Sequence, residues 1–147
     1  LLPNTYGPGD SIDPNHTHAL NGMVIRMLKA KKAGDNEFVV WGTGKPVREW
    51  CYVDDFSEAL IQANAFESMI DPINVGQEKG FSIAESAHLV KKACEFDGPI
   101  MFDTSYADGA PIKVLSGDRT KSSFPLLKFF DHEEGILNTV KYYEDKV

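Results

Sequence analysis

The chain has 147 residues, 42% of them hydrophobic and 25% charged, with a formal net charge of −7. That is one ordinary domain by length, with the balance of a soluble globular protein and enough residues to bury a core. There is no run of about 18 apolar residues to cross a membrane and no basic stripe to follow a nucleic-acid backbone, so neither is an expected partner.

The chain opens Leu1-Leu2-Pro3-Asn4. An apolar pair running into a Pro-Asn turn reads as the last residues of a buried strand, which predicts further sequence upstream. No basic segment leads into an apolar stretch, so no signal peptide is visible and a cytoplasmic location is expected. Cys51 and Cys94 then read as free buried thiols.

From Asn4 to Asn15 three turn signals follow one another: Tyr6-Gly7-Pro8, Gly9-Asp10 and Asp13-Pro14. They predict a long shaped loop, the kind of segment that carries function. Thr17 to Lys32 has helical spacing in Leu20, Met23, Val24, Met27 and Leu28, with Gly34 as the cap. Phe38 to Trp41 reads as a short strand, Gly42-Thr43-Gly44-Lys45-Pro46 as a turn, and Val47 to Tyr52 as a second strand. A β-hairpin at this turn would put Trp41 and Arg48 on neighbouring strands.

Asp54 or Asp55 is expected to cap a helix whose apolar face is Phe56, Ala59, Leu60, Ala63 and Phe66. Ile73 to Gly76 reads as a short strand. Ser82-Ile83-Ala84-Glu85 is a capping box opening a helix to about Cys94. Pro99 to Phe102 is another expected strand, and Tyr106 to Arg119 is expected to be irregular. Asp131 caps a last helix with Ile136, Leu137, Val140 and Tyr143 on its buried stripe. Strands and helices alternate throughout, which predicts an α/β fold in a single domain spanning 1–147.

Four groups of residues are candidates for chemistry. His18, Gly22 and Arg26 fall within about 80° on one helix face, away from the Met23/Met27 face. A histidine and an arginine separated by a residue without a side chain leave room for a ligand; an ordinary solvated face has the same pattern. Asp10, Asp13, His16 and His18 include His-x-His spacing, but turn and cap roles explain both aspartates, and no metal is expected. Trp41 offers a flat aromatic face for a base or sugar, and Arg48 a forked cation for a diphosphate. A core tryptophan and a surface arginine fit the spacing equally well. Asp108-Gly109-Ala110-Pro111-Ile112-Lys113 is a tight polar turn with an acceptor at one end and a cation at the other, or a plain exposed turn.

Several stretches, taken in order, carry a family resemblance: Asn4-Thr5-Tyr6-Gly7-Pro8, Pro14-Asn15-His16-Thr17-His18, Val40-Trp41-Gly42-Thr43-Gly44-Lys45-Pro46-Val47-Arg48-Glu49, Val53-Asp54-Asp55, Ile73-Asn74-Val75-Gly76, Phe102-Asp103-Thr104 and Asp108-Gly109. Over nearly its whole length the chain resembles the C-terminal half of the GDP-L-fucose synthases, which are extended short-chain dehydrogenases/reductases of the NAD-dependent epimerase/dehydratase type. The Tyr-Gly-Pro and Val-Asp-Asp pieces occur across sugar-nucleotide epimerases and dehydratases. The segments around His18 and from Asp108 to Lys113 point more narrowly to fucose synthases, although Ile112 stands where that family often has a basic residue.

The resemblance implies the C-terminal, substrate-binding part of a Rossmann-type enzyme whose dinucleotide-binding half lies upstream. The implied reaction epimerises GDP-4-keto-6-deoxy-D-mannose at two carbons beside the ketone and then reduces the ketone with NADPH. By position, His18 matches the family's catalytic histidine. Leu2, Pro3, Asn4, Thr5 and His18 match residues lining the nicotinamide cofactor. Arg26, Trp41, Arg48 and Asp108 match residues holding the GDP-sugar, with Lys113 as a further contact. The family's cysteine, its Tyr-x-x-x-Lys pair and its glycine-rich loop have no match here, so NADP(H) is expected to bind mainly to the absent half, the isolated chain to be inactive, and the complete protein to be a homodimer. Two other readings stand beside this one: an epimerase or dehydratase acting on a UDP- or dTDP-sugar, and a stand-alone nucleotide-sugar-binding domain.

Overall fold

The computed structural model describes residues 1–67 and 71–147. In chain order the elements are β1 (Asn4–Tyr6), α1 (Ala19–Ala33), β2 (Phe38–Trp41), β3 (Val47–Tyr52), α2 (Val53–Ala63), β4 (Gly80–Ser82), α3 (Ile83–Cys94), β5 (Ile100–Asp103), β6 (Ile112–Lys113), α4 (Asp118–Ser123) and α5 (His132–Tyr143). The expected α/β architecture is present, with most strand pairs parallel.

Strand β3 organises one sheet. It runs parallel to β1, with Asn4 opposite Trp50 and Tyr6 opposite Tyr52. It is antiparallel to β4 and parallel to β6, which sets Arg48 beside Lys113. Strands β2 and β5 form a separate parallel pair, from Phe38 opposite Ile100 to Trp41 opposite Asp103.

The expected β2–β3 hairpin does not form. Gly42 and Gly44 take φ values of 85° and 74°, the left-handed region that glycine reaches at little cost. The turn they make is captured by the start of α3: Gly44 and Pro46 carbonyls accept hydrogen bonds from the Ala84 and Ile83 amides, both 2.9 Å. Those amides have no partner inside their own helix. The chain thus steps from one sheet to the other instead of folding back on itself.

Helices α1, α3 and α5 pack on one another around Leu20, Val24, Met27, Leu28, Ala87, Val90, Ile136 and Val140, all buried. Full burial of one such side chain stabilises the fold by roughly 1.5–3 kcal/mol. The local signals that end these helices are as the sequence implies. Gly34 closes α1 in the left-handed conformation, Ser82 and Glu85 form a reciprocal capping box, and Asp131 accepts from the Glu133 and Glu134 amides. Leu137 departs from its expected place and is 39% exposed. Cys51 and Cys94 are free and buried, and burial pushes both thiols up to about 12.

Other expectations are corrected. Neither Asp54 nor Asp55 caps α2; Tyr52 holds the cap position, and both aspartates lie in the first turn. Asp55 is buried and accepts the Phe130 amide at 3.0 Å, tying α2 to the segment before α5. Leu60 faces outward, 53% exposed. Ile73–Gly76 is extended but forms no strand. Its polar groups pair with the first residue, Leu1 donating to the Ile73 carbonyl at 2.7 Å and accepting from the Val75 amide at 2.8 Å. Leu1 and Leu2 are exposed, and regular pairing starts only at Asn4. The stretch from Tyr106 to Arg119, expected to be irregular, contains β6 and the start of α4.

Candidate functional site

The loop between β1 and α1 is shaped by buried polar contacts. Asn21, 2% exposed, accepts from the Gly7 amide at 3.1 Å and donates to an Asp10 carboxylate oxygen at 2.9 Å. Tyr143, at the end of α5, donates its hydroxyl to the Asp10 carbonyl at 3.0 Å. Asp10 also accepts from the His18 amide at 2.8 Å and contacts His18 Nδ1 at 3.1 Å. It thereby takes the amide of the cap residue of α1, His18, whose own side chain makes no cap hydrogen bond. Burial pushes the Asp10 carboxyl up, but the hydrogen bonds from His18, Asn21 and Ser11 outweigh it and hold the group down at about 2. Asp13 serves a separate turn, binding the Asn15 amide and His16 Nδ1. The two aspartates have the turn and cap roles expected of them, and no group of three or more His, Cys, Asp or Glu suited to a metal occurs among the described residues.

His18 stands between two cavities. One, of about 380 Å³, is lined by His18, Gly22, Arg26 and Trp41 together with Pro14 and Thr17. The other, of about 460 Å³, is lined by Leu2, Pro3, Asn4, Thr5, Asp10 and His18. The His18 side chain is 75% exposed, and among the described residues only its Nδ1 is engaged. Met23, expected on a different face, also borders the first cavity. Gly22 is needed there, since a Cβ would lie 2.9 Å from Thr17 Cγ2.

Arg26 and Trp41 form a unit. The guanidinium lies 4.7 Å from the Trp41 ring and 5.0 Å from that of Phe38, and donates to the Val39 carbonyl at 2.5 Å. Burial lowers its pKa. Trp41 is 57% exposed and stacks on Tyr106, with centroids 5.0 Å apart and planes 18° from parallel. Trp41 is therefore not the core tryptophan that its spacing also allowed; Trp50 fills that place.

Arg48, Asp108 and Lys113 gather separately, around the 42–46 turn. Asp108 accepts from the Thr43 amide at 2.9 Å and the Thr43 hydroxyl at 2.6 Å, bonds that lower its pKa. Arg48 donates to the Ala110 carbonyl at 2.6 Å, and Lys113 is exposed beside it in the β3–β6 register. None of the three lines the cavity shared by His18, Arg26 and Trp41. Neither Tyr106 nor Asn21 stands out in the sequence, where Asp10 is open as a metal ligand but better explained as a turn or cap residue. Tyr106 carries no periodic signal, and the ties from Asp10 to Asn21 and Tyr143 span 11 and 133 residues.

Parallel strands backed by helices, with a cleft at the end of β1 and a second beside α1, are the architecture of Rossmann-type epimerases of the short-chain dehydrogenase class. Residues 1–76 match the NAD dependent epimerase/dehydratase family, and the chain belongs to that family. It is 36% identical over 149 aligned residues to the probable GDP-L-fucose synthase 1 of Oryza sativa subsp. japonica, covering 98% of this chain and 44% of that protein. The crystal structure of a GDP-L-fucose synthetase from Naegleria fowleri superposes with a TM-score of 0.91 at 31% identity, covering 99% of this chain and 45% of that one. A structure of the Naegleria fowleri protein bound to NADP gives a TM-score of 0.89 at 32% identity, covering 97% and 44%. The chain thus spans a little under half the length of these relatives. Among the described residues no helix is long and apolar enough to cross a membrane.

Proposed function

We propose that this chain is the substrate-binding portion of a GDP-L-fucose synthase-like enzyme. The complete enzyme would epimerise GDP-4-keto-6-deoxy-D-mannose at C3 and C5 and reduce its 4-keto group. The observation that carries the reading is the placement of His18, whose ring borders both the cavity with Arg26 and Trp41 and the cavity at the end of β1. Similarity to the rice and Naegleria fowleri proteins, named as GDP-L-fucose synthase and synthetase, supports the reading.

In this reading each residue has a stated task. A ketone acidifies the C–H bonds beside it, so a positioned acid–base group can invert those carbons. His18 moves that proton through Nε2, the ring nitrogen not engaged by Asp10. Arg26 offsets charge on the diphosphate, and Trp41 stacks on a flat part of the ligand. Arg48, Asp108 and Lys113 contact its far end. The cavity at the end of β1 has apolar walls at Leu2 and Pro3 and polar groups at Asn4 and Thr5, which suits a nicotinamide carboxamide. NADP(H) supplies the hydride when bound, held mainly by an N-terminal half outside this chain.

Titration calorimetry of the chain with GDP, UDP and dTDP tests the binding step. GDP is expected to bind tightest, and Trp41→Ala to weaken it by about 1–3 kcal/mol, the usual worth of base stacking on an aromatic ring. Equal affinity for the three nucleotides, or no loss in the variant, would overturn the site. Preference for UDP or dTDP would move the chain to an epimerase or dehydratase on those sugars. The chain alone is expected not to oxidise NADPH with the keto-sugar, and oxidation would refute its partial character. In the complete enzyme, His18→Asn is expected to stop entry of solvent deuterium into the sugar.

A further inference from the structure

We infer that Asp10 is a positioning residue for His18, fixing which ring nitrogen carries the proton and leaving Nε2 free to exchange one. The inference deepens the reading of His18 given above and rests on it for its functional meaning, but its structural content is independent of any substrate.

Donors surround the Asp10 carboxylate. Oδ2 accepts from the His18 amide at 2.8 Å, Asn21 Nδ2 at 2.9 Å and the Thr17 hydroxyl at 3.3 Å. Oδ1 accepts from the Ser11 amide at 2.8 Å and faces His18 Nδ1 at 3.1 Å. An ionised carboxylate can only accept. Its partner Nδ1 must therefore carry hydrogen, and in the neutral ring the lone pair then falls on Nε2. A neutral histidine ring can carry its hydrogen on either nitrogen, so its partners in the protein decide which.

The carboxylate is also held in place. Its side chain is only 14% exposed. Asn21, buried in α1, grips it from one side and uses its own carbonyl on the Gly7 amide. The Tyr143 hydroxyl holds the backbone carbonyl of the same residue from α5. Two helices thus hold Asp10, α1 by its carboxylate and α5 by its backbone carbonyl, and the carboxylate fixes the ring. A plain surface ion pair would have no such support, and would leave the ring to reorient. Orientation of a proton-transferring imidazole by a carboxylate is a general requirement, because the wrong tautomer presents a hydrogen where a lone pair is needed.

Nitrogen-15 NMR of the histidine-labelled chain, at a pH where the ring is neutral, reads the tautomer directly. The wild-type His18 is expected to carry its proton on Nδ1; a proton on Nε2 would overturn the inference. Asp10→Asn gives the sharper test. Three donors converge on Oδ2 and the Ser11 amide alone joins His18 at Oδ1, so the amide oxygen takes the Oδ2 place, the Ser11 amide loses its acceptor, and the amide NH₂ faces Nδ1. His18 is then expected to switch to the Nε2–H form. A variant that folds and retains the Nδ1–H form would refute the role and leave Asp10 as a cap for α1 only. Should the variant fail to fold, the wild-type tautomer decides alone. In the complete enzyme the same variant is expected to lose solvent exchange on the order of 100-fold or more, the scale of general acid–base contributions, with GDP affinity unchanged. A chain that prefers another nucleotide would refute the proposed substrate and leave the tautomer result standing.

Discussion

His132 makes a direct prediction about acid stability. It is buried at the start of α5, its ring 5.4 Å from Tyr6, 6.5 Å from Trp50 and 4.2 Å from Phe81. Nδ1 shares a hydrogen bond with the Tyr6 hydroxyl at 3.2 Å, and among the described residues Nε2 has no partner. Burial pushes the imidazole down to about 4, with Asp131 opposing and Lys79 assisting. The folded chain therefore keeps the ring neutral where the unfolded chain protonates it. Stability is complete above about pH 6.5, falls as pH drops toward the folded value of about 4, and is flat below that. Between about pH 7.5 and about pH 4.5 the lowered affinity for a proton is worth about 2–3 kcal/mol. His132→Phe removes the titration while keeping an aromatic ring among the others. Tyr6 can still donate to the backbone carbonyl of residue 132, which it already contacts at 3.3 Å. Urea denaturation of both proteins at the two pH values gives the difference. The wild type is expected to lose about 2–3 kcal/mol more than the variant. Asp55, raised by burial, acts in the opposite sense at the acid end but cancels between the two proteins. An equal loss in both would refute the assignment of this acid sensitivity to His132.

Two further predictions concern groups the sequence hides. Glu49 is fully buried and accepts from the Gln77 amide at 2.5 Å and the Leu115 amide at 2.7 Å, so it ties two loops to β3. Glu49→Ala orphans both donors and is expected to cost about 2–5 kcal/mol in urea denaturation, and a loss under about 1 kcal/mol would contradict that role. Cys51 and Cys94 are expected to resist iodoacetamide in the native chain and to react only in denaturant, because both are buried with thiols held near 12. Labelling of either at the native rate of an exposed thiol, followed by mass spectrometry, would contradict the buried placement.

What the sequence disclosed was local. Ser82 with Glu85, Asp131 and Gly34 announce helix ends because the cap and its partner lie within a few residues of each other. The grouping of His18, Gly22 and Arg26 was legible for the same reason, since it follows from the pitch of one helix. Pairing was not. Nothing near Trp41 indicates that β2 will pair with β5 some 60 residues on, and the glycines of the intervening turn are compatible with a hairpin until the α3 amides claim the turn's carbonyls. Asp54 and Asp55 illustrate the converse error: their position suits a cap, but Asp55 is drawn inward by the Phe130 amide, a partner 75 residues away.

Successive contacts join the two groups of candidate residues into one line of neighbours, and that order constrains what can lie along it. His18, Gly22 and Arg26 are successive turns of α1, about 6 Å apart along the helix axis. The Arg26 guanidinium then lies 4.7 Å from the Trp41 ring. The next residues, Gly42 and Thr43, meet Asp108, with Thr43 bonded to it. Gly109 follows, close enough to Arg48 that an added Cβ would sit 3.1 Å from its guanidinium. From one end the order is thus an imidazole, a cation beside an aromatic face, a carboxylate and a second cation. A single compact sugar could touch only the first part of that line. A ligand that engages all of it must be elongated, with its reactive group at the His18 end, negative charge toward Arg26 and a hydrogen-bonding group toward Asp108. A sugar joined through a diphosphate to a nucleoside has its parts in that order, which is why the separation of Arg48 and Asp108 from the His18 cavity supports a nucleotide-sugar ligand.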